Sequence, residues 1–130
     1  MPDGQKHILV ADDNAALSNV IRFNLEAVGF KVTQARNGLE AWNLLQASRY
    51  DMLVTDHQMP EMSGLELCER ISGEPGLAGL PIIMLTAKRI ELENAEFLRL
   101  RGILQLLPKP FSPRELAASV MNALAPALMD

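Results

Sequence analysis

The stretch MLVTDHQMPEMSGLEL, Met52 to Leu67, carries four strand-forming residues straight into an aspartate, turns at once, and restarts as a helix. A strand without polar alternation is covered on both faces, the situation of central strands in parallel sheets. Parallel neighbours cannot be joined by a hairpin, so the helix over GLELCERIS (Gly64–Ser72) reads as part of a crossover. Asp56 is the anomaly, because an unpaired carboxylate at the edge of a core is costly. Its partners have to come from elsewhere in the chain.

The same alternation runs in both directions from there. HILVA (His7–Ala11) is a first strand, and from Asn14 the residues Leu17, Val20, Ile21, Leu25 and Val28 recur at helical spacing until Gly29 stops them. KVTQA (Lys31–Ala35) is a more polar strand, followed by a helix over GLEAWNLLQAS (Gly38–Ser48). Beyond a Gly/Pro loop, IIMLT (Ile82–Thr86) is another buried strand, a charged helix is predicted from about Arg89 to Leu100, and ILQLL (Ile103–Leu107) is the fifth strand. The fifth helix opens with Ser112 as N-cap and Pro113 at its first position, turning Leu116, Val120 and Leu124 inward.

Five strands alternating with five helices predict right-handed crossovers and a doubly wound α/β fold, a parallel sheet with helices on both faces. The apolar first, third and fourth strands belong in the centre and the polar second at an edge, which fits the flavodoxin-like order 2-1-3-4-5. Ligands of such sheets sit beyond the carboxyl ends of the strands, at the switch point between strands 1 and 3. Asp12 and Asp13 follow strand 1, Asp56 follows strand 3, and Thr86 and Lys109 stand at the ends of strands 4 and 5. Three carboxylates, a hydroxyl and an ammonium are therefore expected on one rim, which supplies Asp56 with its partners.

The 130 residues suit one domain, and 48% apolar with 22% charged residues is an ordinary globular balance. A formal charge of −4 without any Lys/Arg run argues against nucleic-acid or anionic-membrane surfaces. The single cysteine, Cys68, permits no internal disulfide and suits a reducing, cytoplasmic compartment. No apolar stretch approaches the roughly 20 residues of a membrane span.

At about 4 Å two carboxylates repel by roughly 4 kcal/mol at an effective dielectric of about 20, so three together need protons or a cation. Mg²⁺ fits, being a hard ion that takes a few carboxylates plus waters and bridges phosphate oxygens. An aspartate beside such an ion can act as a nucleophile. Phosphoryl transfer asks chiefly for positioning and charge neutralisation; Lys109 adds positive charge, and the Thr86 hydroxyl can bond a phosphoryl oxygen.

The motifs ADD (Ala11–Asp13), VTDHQMPEMSG (Val54–Gly64), LTA (Leu85–Ala87) and PKPF (Pro108–Phe111) occur in an order and spacing that resembles a bacterial two-component response regulator receiver domain, from about His7 to Ala127. The resemblance implies that Asp56 accepts a phosphoryl group from the phosphohistidine of a histidine kinase or phosphotransfer protein. It implies Mg²⁺ on Asp13, Asp56 and the Gln58 backbone carbonyl, with Asp12 acting through water. It also implies Lys109 on the phosphoryl oxygens, with a cis bond to Pro110, and Gln58 and Lys88 flanking the path of the attacking water. The expected function is a phosphorylation-dependent switch that phosphorylates and dephosphorylates itself and signals through the surface of the fourth helix, fifth strand and fifth helix. A single receiver domain over residues 1–130 without an output domain is expected, cytoplasmic and a monomer or weak dimer; it is either a stand-alone regulator or a receiver from a larger hybrid kinase or regulator.

Plainer readings compete residue by residue. Alone, Asp13 fits an N-cap of the first helix, Thr86 one of the fourth, and Lys109 a solvated loop. His57 invites a metal role, but strand alternation turns it from the side of Asp56, and it reads as a loop residue. Cys68 reads as helix packing, Trp42 as cover for the sheet, and Met59 and Met62 as loop packing. An aspartyl-phosphate phosphohydrolase is the rival enzyme class, but such enzymes usually carry a second acid two residues after the nucleophile, where Gln58 stands. Leu106 occupies the position, three before the lysine, where receivers usually have Tyr or Phe, so the usual ring movement is not expected. The apolar positions Ile90, Leu92, Ala95, Phe97, Leu98 and Leu100 form a broad buried face or, on a sharper reading, a partner-docking patch.

Overall fold

The computed structural model describes residues 5–87, 98–99 and 101–124. Strands β1 (His7–Ala11), β2 (Lys31–Ala35), β3 (Met52–Asp56), β4 (Ile82–Thr86) and β5 (Ile103–Pro108) form one parallel sheet in the order β2-β1-β3-β4-β5. The described helices are α1 (Ala15–Ala27), α2 (Gly38–Ala47), α3 (Gly64–Ser72) and α4 (Pro113–Leu124). Of the helix expected over 89–100 only Leu98 and Arg99 are described, both helical, so Lys88, Ile90, Leu92, Ala95, Phe97 and Leu100 lie outside the described residues.

Alternation along the strands builds two cores. Leu9, Leu53, Ile82 and Met84 meet Ala41 and Leu45 of α2 and Leu67, Cys68 and Ile71 of α3 on one face. Ile8, Val10, Val54, Ile83 and Leu85 meet Ile21 and Leu25 of α1 and Leu116 and Val120 of α4 on the other. At roughly 1.5–3 kcal/mol per fully buried aliphatic side chain, this double coverage is what holds β1, β3 and β4 in the middle. Burial also pushes the Cys68 thiol up to about 12, so at neutral pH it is an inert packing group. Trp42 is half-buried against the α2–α3 core, with the Arg70 guanidinium 5.7 Å from its ring centroid.

Helix starts are fixed by side-chain caps. The Leu17 N–H donates to Asn14 Oδ1 at 3.0 Å, so the cap of α1 is Asn14 and not Asp13. Ser63 and Glu66 form a reciprocal capping box at α3, and Ser112 and Glu115 exchange the same pair of bonds at α4. Two apolar residues of the expected α1 stripe face outward instead: Val20 is 43% and Val28 44% exposed. The inward stripe is Ser18, Ile21 and Leu25, with the Ser18 hydroxyl accepting from Gln34 Nε2 at 2.8 Å. Val20 stands about 100° around the axis from Ile21, and Val28 is already the C-cap.

β5 departs from simple alternation. Ile103 pairs with Ile82 but Gln105 pairs with Ile83, so Leu104 is an extra residue, bulged outward and 59% exposed. The shift puts Leu106 opposite Met84, half-buried on the α2–α3 face, and Leu107 in the other core.

Candidate functional site

Ala11 and Thr55 are register partners across β1 and β3, so the acids that follow them arrive side by side. Carboxylate oxygens of Asp12, Asp13 and Asp56 all lie within 4.8 Å of one another. Among the described residues this is the one His/Cys/Asp/Glu group so spaced, and His57 is not part of it. On the other side Asp56 pairs with Leu85, and Thr86 pairs with Pro108. That ladder delivers Lys109, whose N–H donates to the Thr86 carbonyl at 2.8 Å and whose Nζ lies 3.0 Å from Asp56 Oδ1. Thr86 is fully buried at the end of β4, while Gln58 is exposed in the loop that follows β3. The Lys109–Pro110 peptide is cis.

Asp56 is held on several sides. The His57 N–H donates to its Oδ1 at 3.0 Å, and the Thr55 hydroxyl donates to its carbonyl at 3.0 Å. At the far end of the loop, the Gly64 N–H donates to the His57 carbonyl at 2.8 Å. A Cβ on residue 64 would overlap the Asp56 carbonyl oxygen and lie 3.1 Å from its carbonyl carbon, so this approach of helix to strand requires glycine.

Asp12 is 1% exposed. Its Oδ1 accepts from the Asn14 N–H at 2.9 Å, but its buried Oδ2 has no hydrogen-bond partner among the described residues. Burial pushes its pKa up; the Asn14 N–H counters this, Asp56 and Asp13 add to it, and Lys109 opposes it. A buried orphan carboxylate oxygen beside two further carboxylates is a donor set that suits a hard cation. Two main-chain donors, the N–H groups of His57 and Asn14, escaped sequence reading because every residue other than proline carries one.

The raised pKa has a measurable consequence. Because the folded value lies above the unfolded one, ionised Asp12 opposes folding once the pH passes the unfolded value, and the penalty is complete above the folded value. In metal-free protein Asp12→Asn is therefore expected to raise the melting midpoint at neutral pH, because it removes a buried charge. The gain should shrink as the pH falls toward about 3.9, where unfolded aspartate also protonates. Calorimetric melting in chelator at neutral and acid pH checks this, and a lowered midpoint at neutral pH contradicts it.

Residues 8–121 match the protein family described as response regulator receiver domain. The chain belongs to this family. The receiver is 44% identical over 117 residues to the phosphate regulon transcriptional regulatory protein PhoB of Rhizobium meliloti, covering 90% of this chain and 51% of that protein. It is 34% identical over 119 residues to a chemotaxis protein CheY homolog of Campylobacter jejuni, covering 90% and 91%. It thus spans about half the length of the transcriptional regulator and most of the chemotaxis protein. Among solved structures, the chemotaxis response regulator CheY4 of Vibrio cholerae superposes with a TM-score of 0.84 at 28% identity, over 92% of this chain and 99% of that one. The receiver domain of the sensor histidine kinase PA1611 of Pseudomonas aeruginosa superposes with a TM-score of 0.79 at 28% identity, over 92% and 97%, and holds a magnesium ion in its active site cleft. Among the described residues of this receiver, no helix is long and apolar enough to cross a membrane.

Proposed function

We propose that this receiver is a phosphorylation-dependent switch in which Asp56 takes a phosphoryl group from the phosphohistidine of a histidine kinase or phosphotransfer protein. The observation that carries the proposal is the 3.0 Å ion pair of Lys109 Nζ with Asp56 Oδ1 inside a cluster of three carboxylates. One Asp56 oxygen bonds to phosphorus as the bond from phosphorus to the imidazole nitrogen breaks, and the histidine leaves with the electron pair. Lys109 and the His57 N–H both engage Oδ1 and so fix the rotation of the carboxylate before attack. Asp13, Asp56 and the Gln58 backbone carbonyl would hold Mg²⁺, with Asp12 acting through water. When bound, that ion supplies the charge that offsets the carboxylates and the incoming phosphoryl oxygens.

After transfer, Lys109 pairs with a phosphoryl oxygen and the Thr86 hydroxyl bonds another. Water later returns Asp56 to its free form. Leu106, half-buried over Met84, has no ring to move when Thr86 engages phosphate, so the signal leaves along the chain after Thr86 and through the surface of β5 and α4. Gln58, in place of a second acid, disfavours the phosphohydrolase reading. Delivery by such kinases places this action in the cytoplasm.

Incubation with a small acyl phosphate and Mg²⁺, followed by intact-mass measurement, tests the proposal. One added phosphoryl group, released by hydroxylamine as an acyl phosphate is, is the expected result. A chain that stays unmodified under these conditions would retire the switch reading.

A further inference from the structure

Helix α2 supplies none of the acids, the hydroxyl or the ammonium, yet its first residue abuts the loop that follows Asp56. Asn37 caps α2, accepting from the Glu40 N–H at 2.7 Å, while Glu40 Oε1 accepts from the Arg36 N–H at 2.7 Å. These two bonds fix the start of the helix against the rim. A Cβ at Gly38 would overlap the Met62 carbonyl oxygen and lie 2.8 Å from both the Met62 carbonyl carbon and the Met62 Cβ. The φ of Gly38 is outside the left-handed region, so what glycine provides here is space and not backbone freedom.

The loop itself is short and tied. The Met62 N–H donates to the Pro60 carbonyl at 2.8 Å, Glu61 takes a positive φ of 73°, and Met62 is buried. Gly64 presses on the Asp56 end of this loop and Gly38 on its Met62 end, leaving residues 57–61 spanning between two fixed backbones. We propose that Gly38 is a positioning residue: it lets α2 brace the 57–63 loop and thereby holds the Gln58 main chain in register with Asp13 and Asp56. This rests on the Gln58 carbonyl being a metal ligand, as argued above. If Gly38 served packing alone, a methyl there would lower stability but leave the Mg²⁺ affinity of the folded protein untouched.

Calorimetric titration with Mg²⁺, without any phosphodonor, separates the two. Folded Gly38→Ala is expected to bind Mg²⁺ about tenfold more weakly or worse, the size typical of removing an outer support of a metal site. Its metal-free amide spectrum should shift at residues 57–62. Adding Met62→Ala should restore nothing, because the obstacle is the main-chain carbonyl. Gly73→Ala, where a Cβ meets nothing nearer than 3.6 Å, should bind as wild type. Asn37→Ala adds no bulk and loosens the same brace, so a loss of about two- to threefold is expected, the smaller effect suiting one lost cap.

A folded Gly38→Ala with wild-type affinity overturns the inference. If that variant does not fold, unchanged affinity in Asn37→Ala overturns it. A wild-type protein that binds Mg²⁺ no better than Asp13→Asn overturns the reading of the site itself, and the inference with it.

Discussion

Asp56→Asn is expected to take up no phosphoryl group under conditions that fully modify the wild type. The amide keeps the shape of the side chain but replaces a nucleophilic carboxylate oxygen with a weak one. Its neighbours are poor substitutes. Asp12 is 1% exposed and its Oδ1 already accepts from the Asn14 N–H, which limits the access of a phosphodonor to it. Asp13 is exposed and, among the described residues, has no contact equivalent to the Lys109 ion pair that aligns Asp56. The substitution also removes the charge partner of Lys109, so loss of the ion pair and loss of the nucleophile come together. Intact mass after treatment with a small phosphodonor reads the result directly. Equal incorporation in both proteins would move the acceptor to another residue.

Asp13→Ala is expected to weaken Mg²⁺ binding by at least about two decades and to stop phosphorylation, as a chelator should in the wild type. A unit charge pair at about 4 Å and an effective dielectric of about 20 is worth roughly 4 kcal/mol, and about 1.4 kcal/mol is one decade of affinity. The fold should survive, because Asp13 is exposed and α1 is capped by Asn14. That separates a ligand role from a capping role: loss of a cap lowers the melting point, while loss of a ligand leaves it and abolishes the metal response. Wild-type Mg²⁺ affinity in Asp13→Ala would remove this residue from the site.

The rim could be read from the sequence because each of its side chains ends or directly follows a strand, and strand composition fits the flavodoxin-like order of the sheet. Once β1, β3 and β4 are central, Asp12, Asp13, Asp56, Thr86 and Lys109 have one edge of the molecule to share. Burial of small polar groups was less legible. Ser18 goes inward where Val20 does not because Gln34, sixteen residues away, supplies its hydrogen bond. The bulge at Leu104 leaves no local mark, since ILQLL reads equally well with or without an extra residue. The brace at Gly38 was hidden for a related reason. A glycine at the start of a helix looks like a weak helix former, and only the approach of Met62 gives it a purpose. A main-chain ligand, the role proposed for the Gln58 carbonyl, has no side-chain signature at all.

The bulge on β5 also governs what the domain avoids. β5 is an outer strand, and an outer strand offers unpaired donors and acceptors to any stray chain that can lie alongside it. At Leu104 the spacing of those groups slips by one residue, so an incoming strand that is in step on one side of the bulge is out of step on the other. Further along, the Lys109 N–H is turned toward β4, which leaves the neighbouring Pro108 nitrogen, without a hydrogen, on the outer side. A newcomer therefore meets a misaligned ladder and then a missing rung. The β5 margin is thereby poorly suited to templating edge-to-edge polymerisation, even with a leucine standing exposed upon it.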